Sequence, residues 1–323
     1  YGDTSLNGAI YETPNMDSIG ENGLNFENFY SCYSVCSPAR FGLMTGRYPF
    51  RGYADNVIYP TTSTLAPLAQ TRIFNSIEMG NNVDGMLGDE ITIAETLQAA
   101  GYNTGAFGKW HLGDYGEYLP TNQGFDYFYG SHHVNDMTPF YHVAEENGQY
   151  EIVKGIDDLR DENGKKDQSQ MSEWIHEEIT NWITEQSTTS DDPFFAYYAT
   201  PWPHAPLFVG DDFKGETGMG TYADCITEFD YYLGELFTTL EDLGVMDDTI
   251  IVFTSDNGPA LEGSVGELRG GKYLAYDGGQ KVPFMIRWGN NNNLWTAGET
   301  RTQSATLVDI MPTLVELCGI TGE

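Results

Sequence analysis

The sequence predicts an α/β fold built on a large, mostly parallel β-sheet with helices on both faces. Three observations point there. Runs rich in β-forming residues alternate with segments whose apolar residues recur every three or four positions. Polar residues able to do chemistry follow directly on several strand-like runs, as expected at the carboxyl edge of parallel strands. At 323 residues the chain is also long enough to bury one large core or two smaller ones.

The elements follow in order. A helix is expected to open at Cys36, because Pro38 suits a first turn, where its missing N–H is an orphan anyway. Thr92 and Glu95 have the spacing of a capping box, Ile93, Leu97 and Ala100 share one helical face, and Gly101 stands where a helix stops. Residues 102–107 read as a short strand leading into Gly108, Lys109, Trp110 and His111. Ile175, Ile179 and Ile183 predict an amphipathic helix over 172–183, followed by a polar loop at 187–192. Residues 193–199 form a buried strand ending near His204, and 222–243 form the longest helix. Residues 249–254 are continuously β-rich, which predicts a strand buried on both faces. It empties into Ser255, Asp256, Asn257 and Gly258. A strand at 283–288 and a capped helix at 309–317 complete the alternation, while 52–90, 145–170 and 290–293 read as irregular or solvated. No internal repeat is evident.

Composition excludes several functions. With 48 acidic and 15 basic residues the net charge is −33, which makes nucleic acid and anionic membranes poor partners and suits a saline setting. No apolar run reaches transmembrane length and no signal peptide is visible. Four cysteines (Cys32, Cys36, Cys225 and Cys318) are too few for a disulfide scaffold.

Eight residues stand out chemically. Cys36 at a helix N-terminus, with Arg40 on the next turn, has the surroundings of an activated nucleophile, although a single cysteine is more often a buried structural thiol. Asp256 and Asn257 carry hard oxygen ligands suited to Ca²⁺ or Mg²⁺, although a Ser-Asp-Asn-Gly string alone is more often a turn. Lys109, His111, His204 and Lys272 complete the set. Taken singly, each histidine is more often a structural hydrogen-bonding group.

These residues fall inside segments 1–3, 13–17, 36–47, 101–113, 124–130, 203–206, 254–259, 268–279 and 309–313. In that order they resemble the landmarks of the formylglycine-dependent sulfatase family, in its arylsulfatase and N-acetylgalactosamine-sulfatase branch of the alkaline phosphatase-like superfamily. The resemblance implies that Cys36 is oxidised to Cα-formylglycine by a formylglycine-generating enzyme. One hydroxyl of its hydrate attacks sulfur, and the other collapses to the aldehyde and expels sulfate by breaking carbon–oxygen. Arg40 would hold the diol, Lys109 and Lys272 the sulfate oxygens. His111 would assist the diol and His204 would protonate the leaving alcohol. Asp256, Asn257 and the side chain at 36 would bind Ca²⁺ or Mg²⁺. The implied activity is that of a sulfuric ester hydrolase, with a carbohydrate sulfate ester as substrate and a secreted or periplasmic location.

The resemblance has departures. It places two more carboxylate metal ligands upstream of residue 1 and a smaller subdomain beyond residue 323. The chain is therefore expected to be a catalytic domain, 1–323, cut at both ends and weakly active or inactive alone. Asp3 occupies a different family position and is no ligand. Phe107 and Asp277 are tolerable replacements, whereas Val134 stands where relatives carry a polar residue on the substrate side. The loop 131–136, with Trp202 and Tyr141, is a candidate lining for the leaving group, or else loop packing. Other readings are a phosphonate monoester or phosphodiester hydrolase of the same superfamily, and a degenerate carbohydrate-binding relative.

Overall fold

Strand and helix alternate along the chain as expected. The computed structural model describes residues 1–52, 54–61, 84–290 and 293–320. In chain order the main elements are α1 (Pro14–Glu21), β1 (Leu24–Tyr30), α2 (Cys36–Thr45), α3 (Ile93–Ala99), β2 (Asn103–Lys109), β3 (Tyr127–Ser131), β4 (His142–Glu146) and β5 (Gln149–Lys154). Then come α4 (Met171–Thr189), β6 (Phe194–Ala199), α5 (Thr221–Asp242), β7 (Ile250–Thr254), α6 (Asp277–Gln280), β8 (Phe284–Trp288), β9 (Glu299–Thr306) and α7 (Ile310–Leu317). They fall into two compact units, one of Tyr1–Ala39 with Val209–Leu307, the other of Arg40–Phe208 with Val308–Glu323. Most of 52–90, read as irregular, lies outside the described residues.

The first unit holds a four-stranded sheet in the order β7-β8-β1-β9, antiparallel except for β1 against β9. Helix α1 lies against it because Gly20 lets the helix approach Met285, whose sulfur would sit 3.2 Å from an added Cβ. Phe29 and Phe284 stack at 4.0 Å beneath it. Asp230 of α5 ties that helix to α1, accepting the orphan N–H groups of Asn15 and Met16 in the first turn of α1.

The second unit holds a five-stranded sheet in the order β5-β4-β3-β2-β6, with β2 parallel to both β3 and β6. Adjacent residues of β2 serve opposite faces. Ala106 belongs to the core that includes Ile93, Ala94 and Leu97 of α3, whereas the Phe107 ring lies 5.5 Å from Trp182 of α4. Helices thus cover both faces of β2, which explains why its side chains from Thr104 onward are buried.

The α/β class is borne out, but the expected sheet needs correction. The described strands form two mixed sheets, in which antiparallel pairs include β3 with β4 and β4 with β5. Hydrophobic periodicity reports burial and is blind to the partner's direction. A turn signal was nevertheless present within 145–170: Asn147 and Gly148 take φ of 51° and 69° and close the β4–β5 hairpin. Strands β6 and β7, expected to be buried, are mostly half-buried, because each ends the strand order of its sheet.

Helix ends follow local hydrogen bonding. The Thr92–Glu95 capping box is present, with both reciprocal bonds made at 2.7 and 3.0 Å. Helix α4 runs on to Thr189, into the expected loop, as Thr184, Thr188 and Thr189 return their hydroxyls to carbonyls four residues back. Asp309 makes no capping bond to α7, since its backbone is already helical at the end of a 3₁₀ turn.

Candidate active site

Helix α2 starts at Cys36, as Pro38 predicts, and contributes Cys36 to the first unit and Arg40 to the second. Cys36 is buried. In the same unit the loop after β7 runs beside it. The Tyr273 N–H donates to Ser34 O at 3.0 Å and the Lys272 N–H to Pro259 O at 2.8 Å, so this loop is tied to the approach of α2 and to the end of β7. The Lys272 amine hydrogen-bonds the Cys36 side chain and lies within electrostatic reach of Asp256. Burial disfavours its charge, but Cys36, Asp256 and Tyr273 together outweigh that and raise its pKa above the ordinary lysine value. Lys272 is therefore a persistent cation beside the thiol.

Asp256 and Asn257 follow β7 directly. Ser31 donates its hydroxyl to the Asp256 carbonyl, and Gly258 packs so tightly that an added Cβ would lie 2.0 Å from Gly278 O. The Asn257 amide nitrogen donates to Gly258 O at 2.8 Å, whereas its Oδ1 is buried with no hydrogen-bond partner among the described residues. A buried, unpaired amide oxygen is the kind of atom that a hard cation would satisfy. Among the described residues no group of three or more His, Cys, Asp or Glu side chains is arranged to hold a metal ion. Asp3 is occupied elsewhere, accepting from Tyr11, Tyr222 and the Ser264 N–H. None of the four cysteines forms a disulfide.

Tyr273, the neighbour of Lys272, has an unusual backbone. It holds φ of 75°, in the left-handed region, which costs a bulky residue roughly 1–2 kcal/mol.

The second unit gathers Arg40, Lys109 and His111. Arg40 is buried, and no surface salt bridge: its Nη1 donates to Lys109 O at 2.6 Å and to the Tyr197 hydroxyl at 3.0 Å. Lys109 and His111 sit at the carboxyl end of β2, with His204 in the loop after β6, its parallel neighbour. Gly108 makes this possible: at φ 102° an added Cβ would meet Ala199 O at 2.1 Å.

Hydrogen bonding assigns the histidine protons. His111 Nε2 lies 3.0 Å from Ile58 O, which can only accept, so Nε2 carries the proton. Its Nδ1 is a buried lone pair with no hydrogen-bond partner among the described residues. Burial, and then the charges of Lys109, His133 and Arg40, hold its pKa well below the usual histidine range. His111 is thus a neutral proton acceptor at Nδ1. His204 is half-buried and donates from Nδ1 to Ala205 O at 2.7 Å.

The polar side chains of the loop 131–136 are largely engaged by neighbours. His132 bonds Glu145 at 2.9 Å, His133 bonds Asp114 at 3.0 Å, and Asn135 bonds Pro206 O at 2.9 Å. His132, His133, Val134 and Asn135 are buried, as is Trp202. Tyr197 and the Asp114–His133 pair carried no signal in the sequence, because nothing in their spacing connects them to the motifs.

The sequence model of the Sulfatase family matches residues 1–320. The chain is 33% identical to N-acetylgalactosamine-6-sulfatase of Homo sapiens over 320 residues, and 32% identical to arylsulfatase A of Homo sapiens over 337. These alignments cover 96% and 99% of this chain but 58% and 62% of the relatives, so the chain spans about three fifths of their length. Among solved structures it is similar to a sulfatase from Pseudoalteromonas sp., with a TM-score of 0.81 at 25% identity over 99% of this chain and 65% of the other. It shares its fold with the phosphonate monoester hydrolase of Agrobacterium radiobacter, with a TM-score of 0.65 at 19% identity over 99% of this chain and 71% of the other. Landmark order, fold and family match agree: this chain belongs to the sulfatase family.

Proposed function

We propose that the whole protein hydrolyses a sulfate monoester of a carbohydrate, with the side chain at position 36 as nucleophile. The observation that carries this reading is the Lys272 ammonium, hydrogen-bonded to Cys36 and within reach of Asp256. In a chain of net charge −33, a cation held beside a buried thiol at a helix N-terminus is arranged to receive an anion. The names of the relatives support a sulfate ester, and N-acetylgalactosamine-6-sulfatase among them supports a sulfated sugar.

Oxidised to formylglycine and hydrated, residue 36 would supply two hydroxyls, one for attack on sulfur and one for release of the product. The maturation partner would be a formylglycine-generating enzyme, and the expected location is secreted or periplasmic. Among the described residues no helix is long and apolar enough to cross a membrane. Arg40 would position the residue at 36 one turn away along α2. Lys109 and Lys272 would stabilise negative charge developing on the sulfate oxygens. His111 would take a proton at Nδ1, and His204 would deliver one to the departing alcohol. Asp256 and Asn257, with the side chain at 36, would hold Ca²⁺ or Mg²⁺, and the unpaired Asn257 Oδ1 fits that role. A bound cation would supply Lewis-acid polarisation of a sulfate oxygen.

The phosphonate reading rests on a likeness of fold alone, and a degenerate binding role conflicts with eight intact site residues. The deciding experiment expresses the whole protein with a formylglycine-generating enzyme and takes the mass of the peptide containing residue 36. Turnover of an aryl sulfate is then compared with that of a phosphodiester. An aldehyde at 36 and faster sulfate turnover are expected. An unmodified thiol, or a preference for the phosphodiester, would overturn the proposal.

A further inference from the structure

Tyr273 combines three properties that folding does not explain. Its φ of 75° lies where L side chains are disfavoured, and its N–H bond to Ser34 O holds the backbone there. Its side chain is 70% exposed, so the strain is not returned as buried apolar area. Its ring lies 5.6 Å from the Lys272 ammonium, the same ammonium that hydrogen-bonds Cys36. Strain that persists without packing gain points to use by a ligand.

The rest of the loop has matching chemistry. Leu274 is 49% exposed and Tyr276 is 42% exposed, and the Arg269 guanidinium stacks on Tyr276 at 3.9 Å. Exposed aromatic faces beside two cations, on a protein this acidic, suit a ligand with apolar C–H faces and anionic substituents. A sulfated sugar ring has both.

We infer that Tyr273 is a specificity-determining residue: its ring stacks on the sugar that bears the sulfate ester, while Lys272 faces the sulfate. Arg269, in the same loop, meets a further anionic group on the neighbouring sugar of an oligosaccharide. This rests on the sulfatase reading above and narrows its substrate to a sulfated saccharide bound face-on to an aromatic ring.

The test uses the whole, formylglycine-bearing protein and 6-sulfated N-acetylgalactosamine as probe, free and within an oligosaccharide. Tyr273→Gly removes the ring and suits the backbone. It is expected to raise KM for both probes at least ten-fold, with a smaller change in kcat and no fall in unfolding midpoint. Tyr273→Phe is expected to restore KM to within about two-fold, because the stacking face is kept. Arg269→Gln is expected to raise KM for the oligosaccharide more than for the monosaccharide. Unchanged KM in Tyr273→Gly, with a wild type that turns over, sinks this inference and leaves the sulfatase reading standing. So does a lowered midpoint with parallel loss of kcat, which marks a structural role. A wild type that carries the aldehyde yet cleaves no sulfate ester sinks both.

Discussion

The two units present their candidate residues in opposite ways. In the first, Lys272, Asp256 and Asn257 ride on loops stitched by backbone hydrogen bonds, and Lys272 and Asp256 are only half-buried. In the second, Arg40, Lys109 and His111 are buried at the end of a strand covered on both faces. Groups on loops keep water and ligand access, so their charges are held by neighbours such as Cys36 and Asp256. Groups at the strand end are held by desolvation: Arg40 must find the Lys109 carbonyl and the Tyr197 hydroxyl, and His111 must stay neutral. The first arrangement favours adjustable contact, the second a fixed electrostatic frame.

The largest effect should come from the first unit. Cys36→Ala removes the proposed nucleophile and should abolish sulfate turnover in the whole protein, while thermal unfolding stays within a few degrees of wild type. Retained turnover would break the contrast at once.

Next come the two glycines that permit each arrangement. Gly258→Ala and Gly108→Ala each force a Cβ to about 2 Å from a carbonyl oxygen. Each should lose about 3 kcal/mol or more in denaturant unfolding, among the larger losses seen for point substitutions. Gly108→Ala should be the worse, because its φ of 102° adds backbone strain.

A smaller effect separates the frames by pH. His142, in the second unit, is fully buried against Tyr129, Phe140 and Trp174, with neither ring nitrogen hydrogen-bonded among the described residues. Burial, aided by Lys154, lowers its pKa to about 3. The unfolded chain therefore binds a proton near pH 6.5 that the folded chain refuses, so stability is present above pH 6.5 and falls as pH drops toward 3. His142→Phe should flatten that fall by about 1.4 kcal/mol per pH unit between 6 and 4. An unchanged slope in urea titrations at pH 6, 5 and 4 would show that this histidine is hydrated after all.

The smallest is local. Thr92→Ala removes the reciprocal cap of α3 and should cost about 1 kcal/mol, with no effect on the loop-borne residues.

Legibility followed the same divide. The cap of α3, the start of α2 at Cys36 and the long helix α5 depend on residues within one or two turns, and each is readable from spacing. Strand β9 was not, because Glu299–Thr306 is polar and largely exposed and its position comes from pairing with β1. The Asn147–Gly148 turn is a local signal set within a polar segment. At the site, the motif residues were legible one by one, whereas Tyr197 as a partner of Arg40 and Ser34 as an anchor for Tyr273 are contacts made by chain segments far apart in sequence.

Residue order alone thus determined the family, the α/β alternation and the eight residues able to do chemistry, because motif spacing and amphipathic period are local properties. Tertiary structure alone decided that Arg40 is an internal strut, that His133 is paired with Asp114, and that His111 is neutral with its lone pair on Nδ1. Those outcomes depend on desolvation and on which carbonyl lies within 3 Å, and neither exists until distant segments meet.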